Sequence, residues 1–254
     1  GRVYGLKAWE TPLASRHARG SHIRNVIEKI QDDENIVTIL PISRGLLESP
    51  DGHFLLFATR LGLIKKTKLE EYVRINRNGK YALRFKLDND SLVNVRTGTN
   101  ESAVVMISST GFASRFACSD IRTSGRVSAG IYGIRTGNRK NADGGHIVAM
   151  MSTENTDTQI LTITRNGMAK RSRLGTSEKI PDMNAEGVQK IDPETGEGKM
   201  RNDGYRKTKP GAKGAYTMNL DHESGDYIIS ARQIPNLDDN VFLLTKKGMM
   251  IRIN

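Results

Sequence analysis

Four stretches of this chain combine a turn glycine with closely spaced lysines and arginines, a pairing suited to holding phosphate. They are SRHARG (15–20), with Arg16, Arg19 and Gly20; RINRNGK (74–80), with Arg77, Gly79 and Lys80; RTSGR (122–126), with Arg122, Gly125, Arg126 and, just beyond, Gly130; and KTKPGAKG (207–214), with Lys209, Gly211, Lys213 and Gly214. Glycine lets a backbone turn tightly and approach an anion closely. Lysine and arginine supply charge-assisted hydrogen bonds to phosphate oxygens. One such turn carries no message, because both residues are ordinary in solvated turns. Four of them at equivalent places in four repeats favour a curved positive belt, suited to a bent duplex held by its backbone. The eight cations just named are the expected phosphate contacts.

A repeated β-hairpin must position these turns. In ILTITRNGMAKRSRL (160–174) an apolar, β-branched run enters Asn166-Gly167 and a second run leaves it and becomes basic. Asn-Gly accepts the positive φ of a tight hairpin turn. The same unit recurs at 54–67, 104–115 and 241–252, and residues 1–4 match its outgoing strand alone. The turn glycines stand at 1, 62, 111, 167 and 248, spaced irregularly by 61, 49, 56 and 81 residues. Periods of this size mark propeller-like blades, here with insertions between them. Each unit continues through its basic turn into an alternating strand (23–27, 82–87, 131–134, 215–220) and then a third apolar strand (36–40, 92–95, 146–150, 227–231).

Four residues beyond the turn glycine stands a further cation in four copies, Lys66, Arg115, Arg171 or Arg252; Gly5 breaks the column in the first. Two readings are open for this column. Its members line the same belt, or they form inter-blade bridges and cap loop carbonyls.

Two surface insertions are expected, at about 135–145 and 180–204. The second is poor in large apolar residues and reads as an excursion with a short hairpin around 193–196, weakly anchored by Met183, Val188 and Ile191. One or two helical turns are expected within 67–73, and no other helix. The expected architecture is all-β: one domain of three complete four-stranded blades, with an incomplete blade at each end.

Composition narrows the function classes. Thirty-nine Lys and Arg against 28 Asp and Glu give a formal charge of +11, pointing first to nucleic acid and second to an acidic membrane surface. The single cysteine, Cys118, permits no internal disulfide and reads as a small semi-apolar residue beside a strand. No apolar run approaches membrane-spanning length and no basic-then-apolar leader opens the chain. The chain starts and stops inside strand-like sequence and reads as part of a longer protein. Its acidic residues fall in strand-connecting turns, and its five histidines lack metal-ligand spacing. No GxxxxGK loop or GxSxG elbow is present. Catalytic residues: none; metal ligands: none. A protein-interaction propeller and a propeller enzyme are the competing readings, and the enzyme lacks a converging set of acids or metal ligands.

The order of these elements resembles one family. GRVY (1–4), PLASRHARG (12–20), IRN (23–25) and IVTILP (36–41), with GLIKKT (62–67), NGK (78–80) and 122–135, are similar to the C-terminal domain of DNA gyrase A. The resemblance covers the chain apart from the insertions. It implies a β-pinwheel of about five blade units, the first and last incomplete, whose basic rim wraps double-stranded DNA. It further implies a bacterial, cytoplasmic parent enzyme in which this wrap supports ATP-driven negative supercoiling. The rest of gyrase A, together with gyrase B, would be its partners in a heterotetramer. ATP and Mg would belong to other domains, with no cofactor in this chain, no membrane contact and a monomeric isolated domain. The family's QRRGGKG box is expected upstream of Gly1; TKPGAKG (208–214) matches its pattern at Gly211, Lys213 and Gly214 and departs at Pro210 and Ala212. The similar domain of topoisomerase IV, in its gyrase-A-like subunit, is the alternative, acting in DNA capture for decatenation and relaxation.

Overall fold

The computed structural model describes residues 1–27, 29–31, 34–136, 145–221, 223–236, 238–245 and 248–253. Its strands are β1 (Arg2–Val3), β2 (Phe54–Thr59), β3 (Leu63–Lys68), β4 (Lys80–Tyr81), β5 (Leu92–Gly98), β6 (Ala103–Ser108), β7 (Phe112–Ala117), β8 (Ile131–Tyr132) and β9 (Ile147–Thr153). They continue as β10 (Gln159–Thr164), β11 (Ala169–Arg173), β12 (Lys179–Pro181), β13 (Met200–Asn202), β14 (Ala215–Tyr216), β15 (Ile228–Ile234), β16 (Val241–Leu244) and β17 (Met250–Ile253).

Four hairpins share one register. β2–β3, β6–β7, β10–β11 and β16–β17 pair antiparallel about Gly62, Gly111, Gly167 and Gly248. Each of these glycines has a φ between +83° and +91°, a region that a Cβ penalises. The strands β5, β9 and β15 then pair with β2, β6 and β10, with a bulge at the same step in all three blades. β5 packs on β9 and β9 on β15, so these three form the hub side.

The outer strand of a blade comes from the repeat that follows it. β4 follows the β2–β3 hairpin in the chain yet pairs with β1; β8 follows β6–β7 and pairs with β3; β14 follows β10–β11 and pairs with β7. This exchange makes the fold an all-β pinwheel of propeller-like blades. The second and third blades have four strands, in the orders β5-β2-β3-β8 and β9-β6-β7-β14. The fourth, β15-β10-β11, has three among the described residues.

The apolar core lies in the seams between blades. β2 (FLLFAT) is buried at every residue because a neighbour covers each of its faces. β10 (QILTIT) alternates between half-buried and buried because one face is covered. Between the second and third blades Leu56, Ile64, Met106, Ile134 and Met150 are fully buried. Each such side chain contributes on the order of 2 kcal/mol.

The structure departs from the sequence expectation in several places. Residues 82–87 form no strand: the outer strand of the first blade is β4, two residues earlier. Residues 23–27 contain a 3-10 turn, Ile23–Asn25, capped by His22, and 36–40 form no strand, with Ile36, Val37 and Ile39 exposed. The cause is topological. An outer strand needs the hairpin of the preceding unit and an inner strand needs the incoming strand of its own; the first unit has neither among the described residues. A short helix α1 (Arg44–Glu48) was not expected; Ser43 caps it by accepting a hydrogen bond from the Leu46 amide (3.3 Å). The expected turn near 67–73 is Leu69–Tyr72. The second insertion is the β12–β13 hairpin with a tight turn in which the Gly196 amide donates to Asp192 O (2.9 Å). Met183, Val188 and Ile191 are exposed there, so their side chains do not seat the excursion in the core. Most of the 135–145 insertion lies outside the described residues.

Candidate nucleic-acid interface

The exchanged strands sit in one register. Tyr81, Tyr132 and Tyr216 stand opposite Arg2, Leu63 and Phe112, each the residue after its blade's turn glycine. Gly79, Gly130 and Gly214 precede these strands with φ of +71°, +84° and +83°. A Cβ would overlap the Ile64 carbonyl oxygen at Gly130 and the Ala113 carbonyl oxygen at Gly214, so glycine lets each segment lie flat on the blade before it.

Successive segments also join one another. The Arg84 amide donates to Ser128 O (3.4 Å), the Gly211 amide to Gly133 O (3.0 Å) and the Arg135 amide to Ala212 O (3.3 Å). Residues 80–84, 128–135 and 207–216 thus form one backbone ribbon along the outer edge, opposite the hub.

The basic turns feed this ribbon unevenly. Arg122, Lys209 and Lys213 are exposed on or beside it, and Arg77 is exposed in the turn before β4. Lys80 is half-buried and donates to Glu71 O (3.3 Å). Arg126 is half-buried and its Nε is held by Glu71 Oε2 at 3.1 Å, so its charge is already partnered. Gly211 has the expected positive φ and Gly125 does not. Counted back from the glycine before each exchanged strand, Lys213 stands one residue away, Arg77 two and Arg126 four. The turns are equivalent; the individual cations are not. Arg16, Arg19 and Gly20 are exposed on the unpaired first-unit segment and do not join the ribbon. Sequence reasoning missed Arg84, Arg135 and Lys207, exposed cations on the ribbon itself. The two-residue slip in placing the outer strand hid Arg84.

The strand cations resolve in favour of carbonyl capping at two positions. Lys66 is buried; its Nζ donates to Cys118 O (2.9 Å) and Asn100 Oδ1 (2.6 Å) in the next blade and lies 4.2 Å from the Phe54 ring centre. Arg115 is 2% exposed, and its Nη1 donates to Leu174 O (2.9 Å), Gly175 O (2.8 Å) and Tyr205 O (3.0 Å). Neither can reach a ligand on the rim. Burial lowers the Arg115 pKa, opposed by the nearby Asp203 carboxylate. Arg171, in the same column, is exposed on β11. Lys65 is also sealed in a seam, donating to Ala82 O and to Arg126 O (2.6 Å); burial, with Arg126's charge, lowers its pKa to about 8. Cys118 is buried, and burial pushes its thiol up. Among the described residues, no group of three or more His, Cys, Asp or Glu is placed to hold a metal ion.

A family model described as the DNA gyrase C-terminal domain, beta-propeller, matches residues 1–43, 53–97, 103–154, 158–194 and 239–254. The chain belongs to this family. Over its full length it is 32% identical to DNA gyrase A of Lawsonia intracellularis and 30% identical to that of Staphylococcus aureus strain MRSA252. It spans about a quarter of those relatives, 26% and 24% of their lengths. The C-terminal domain of DNA topoisomerase IV superposes with a TM-score of 0.67 over 92% of this chain and 60% of that one, at 22% identity, which supports the shared pinwheel fold. Membership agrees with the propeller-like blades seen here.

Proposed function

We propose that this chain is the DNA-wrapping part of a gyrase A protein, binding duplex DNA through its backbone and without sequence specificity. The observation that carries the proposal is the outer ribbon. It is continuous over three blades, and Arg84, Arg122, Arg135, Lys207, Lys209 and Lys213 are exposed along or beside it. Phosphates spaced along a duplex are the ligand such a run of charge suits. Arg77 and Lys80 extend the belt, and Arg16, Arg19 and Arg171 are further contacts on a longer path. Bending the duplex around the rim costs elastic energy that extra phosphate contacts offset.

In this reading all 254 residues act as one non-catalytic DNA-binding domain, monomeric when isolated, in the bacterial cytoplasm. The parent is an ATP-dependent topoisomerase completed by the rest of gyrase A and by gyrase B, with ATP and Mg bound elsewhere. The wrap then biases strand passage toward negative supercoiling. Binding to a long duplex should fall with salt at a log–log slope of about −0.9 per phosphate neutralised. Energy transfer between the DNA ends should rise on binding. Equal affinity for a duplex too short to bend and a long one, with no change in end-to-end distance, would refute wrapping.

A further inference from the structure

Each exchanged strand ends in an exposed tyrosine, and the three occupy the same register: Tyr81, Tyr132 and Tyr216 are 56%, 42% and 66% exposed. A tyrosine on a two-residue edge strand gains little from burial, so packing does not account for the choice. Each has a cation nearby. The Arg2 guanidinium lies 4.7 Å from the Tyr81 ring centre and donates to its hydroxyl at 3.2 Å. Lys86 Nζ stands 6.0 Å from the Tyr132 ring centre. Tyr216 stacks on Phe112 with ring centres 4.2 Å apart, and Lys213 Nζ lies 4.7 Å from the Phe112 ring on the same strand pair.

We infer that these tyrosines form a second, uncharged set of contacts to the DNA backbone, one per blade, with each hydroxyl donating to a phosphate oxygen and one ring of each strand pair, that of Tyr81, Tyr132 or Phe112, seating a neighbouring cation. The inference rests on the rim reading above. A phenol hydroxyl is a competent donor to phosphate. A ring under a lysine or arginine restricts that side chain before DNA arrives, so less freedom is lost on binding. Because Gly79, Gly130 and Gly214 fix the strands, the three hydroxyls repeat at the blade spacing, and contacts at that spacing select a duplex curved to the rim. These tyrosines position the DNA and release no counterions of their own.

The neutral contact gives a signature that the cations cannot mimic. In this 254-residue chain the triple variant Tyr81→Phe, Tyr132→Phe, Tyr216→Phe should bind a long duplex on the order of 100-fold more weakly, about fivefold per hydroxyl. Its salt slope should be unchanged. Lys209→Gln with Lys213→Gln should instead flatten the slope by about 0.9 per residue. Nitration by tetranitromethane supplies a readout on the unaltered protein. DNA should protect all three tyrosines and leave Tyr227 reactive, since Tyr227 is exposed beside the β10–β11 turn and not on an exchanged strand. If the lysine variant loses slope while the tyrosine variant binds normally and DNA leaves the three tyrosines reactive, the tyrosine inference fails and the rim reading stands. If neither variant changes binding, or binding ignores salt, both fail.

Discussion

Replacing Arg115 with methionine separates the buried cations from the rim. The guanidinium sits where three carbonyl oxygens converge, Leu174 O, Gly175 O and Tyr205 O, all within 3.0 Å of one nitrogen. That nitrogen carries two hydrogens, so two charge-assisted bonds are made at full strength, at about 1.5–3 kcal/mol each. Against this stands the cost of burying the charge, which the unpartnered Nε leaves only partly compensated. Methionine removes both terms and leaves Gly175 O and Tyr205 O without their donor in a sealed seam, at about 1–3 kcal/mol apiece, while Leu174 O keeps the Tyr205 amide at 2.9 Å. The net expectation is a loss of about 3 kcal/mol, which for a chain of this length lowers the melting temperature by about 6–12 °C. The seam joins the third and fourth blades, and the damage should show first as faster amide exchange at 174 and 205. Calorimetry gives the melting shift; DNA titration at several salt concentrations, below the new midpoint, should give an unaltered slope. An unshifted melting temperature with a slope flattened by about one phosphate would refute the assignment.

Three other perturbations test neighbouring links. Glu71→Gln releases Arg126 from its 3.1 Å partner and removes a negative charge beside the ribbon, so DNA affinity should rise and the salt slope steepen by up to about 0.9; stability should move by less than about 1 kcal/mol, because the pair is partly exposed. Gly214→Ala should cost about 2 kcal/mol or more in urea unfolding and speed exchange at the Thr217 amide, which donates to Gly111 O (2.8 Å), since φ is +83° and a Cβ overlaps Ala113 O. Gly187→Ala, with a similar φ of +79° but open space around it, should cost only about 1 kcal/mol. For Lys65, the folded pKa of about 8 lies below the ordinary 10.5, so between these values the unfolded chain holds a proton that the folded chain has shed. Stability from this group therefore rises with pH across that window, and the gap in unfolding free energy between the parent and Lys65→Met should widen from pH 7.5 to pH 10; a gap that narrows would overturn the assignment.

The hairpins were legible because each is a local event: an apolar run, a positive-φ glycine and a second run lie within fifteen residues, as at 160–174. The strand exchange was not. Nothing local in Lys80–Tyr81 says that it pairs with Arg2–Val3, since an edge strand of two residues carries no period to read. The same gap misled the site list. Lys66 and Arg115 follow the turn glycine at the same spacing as Arg171, yet two are sealed under the next blade and one is exposed. Spacing within a repeat fixes which face a side chain leaves from; only the neighbouring repeat decides whether that face is covered.

Strand exchange also explains why core and rim cannot vary independently. Each rim segment belongs in sequence to one unit and lies on the blade of the unit before, so every segment straddles a seam. Lys65 makes the coupling explicit: from inside a seam it holds Ala82 O, one residue past β4, and Arg126 O, in the turn leading to β8. Shifting the second blade against its neighbours would move both carbonyls and with them the ribbon that carries the exposed charge. The rim's curvature is therefore set by the packing of residues such as Ile64, Met106 and Ile134 rather than by the basic turns. A belt built this way presents its cations at fixed separations before DNA arrives, so little of the binding free energy goes into ordering the protein.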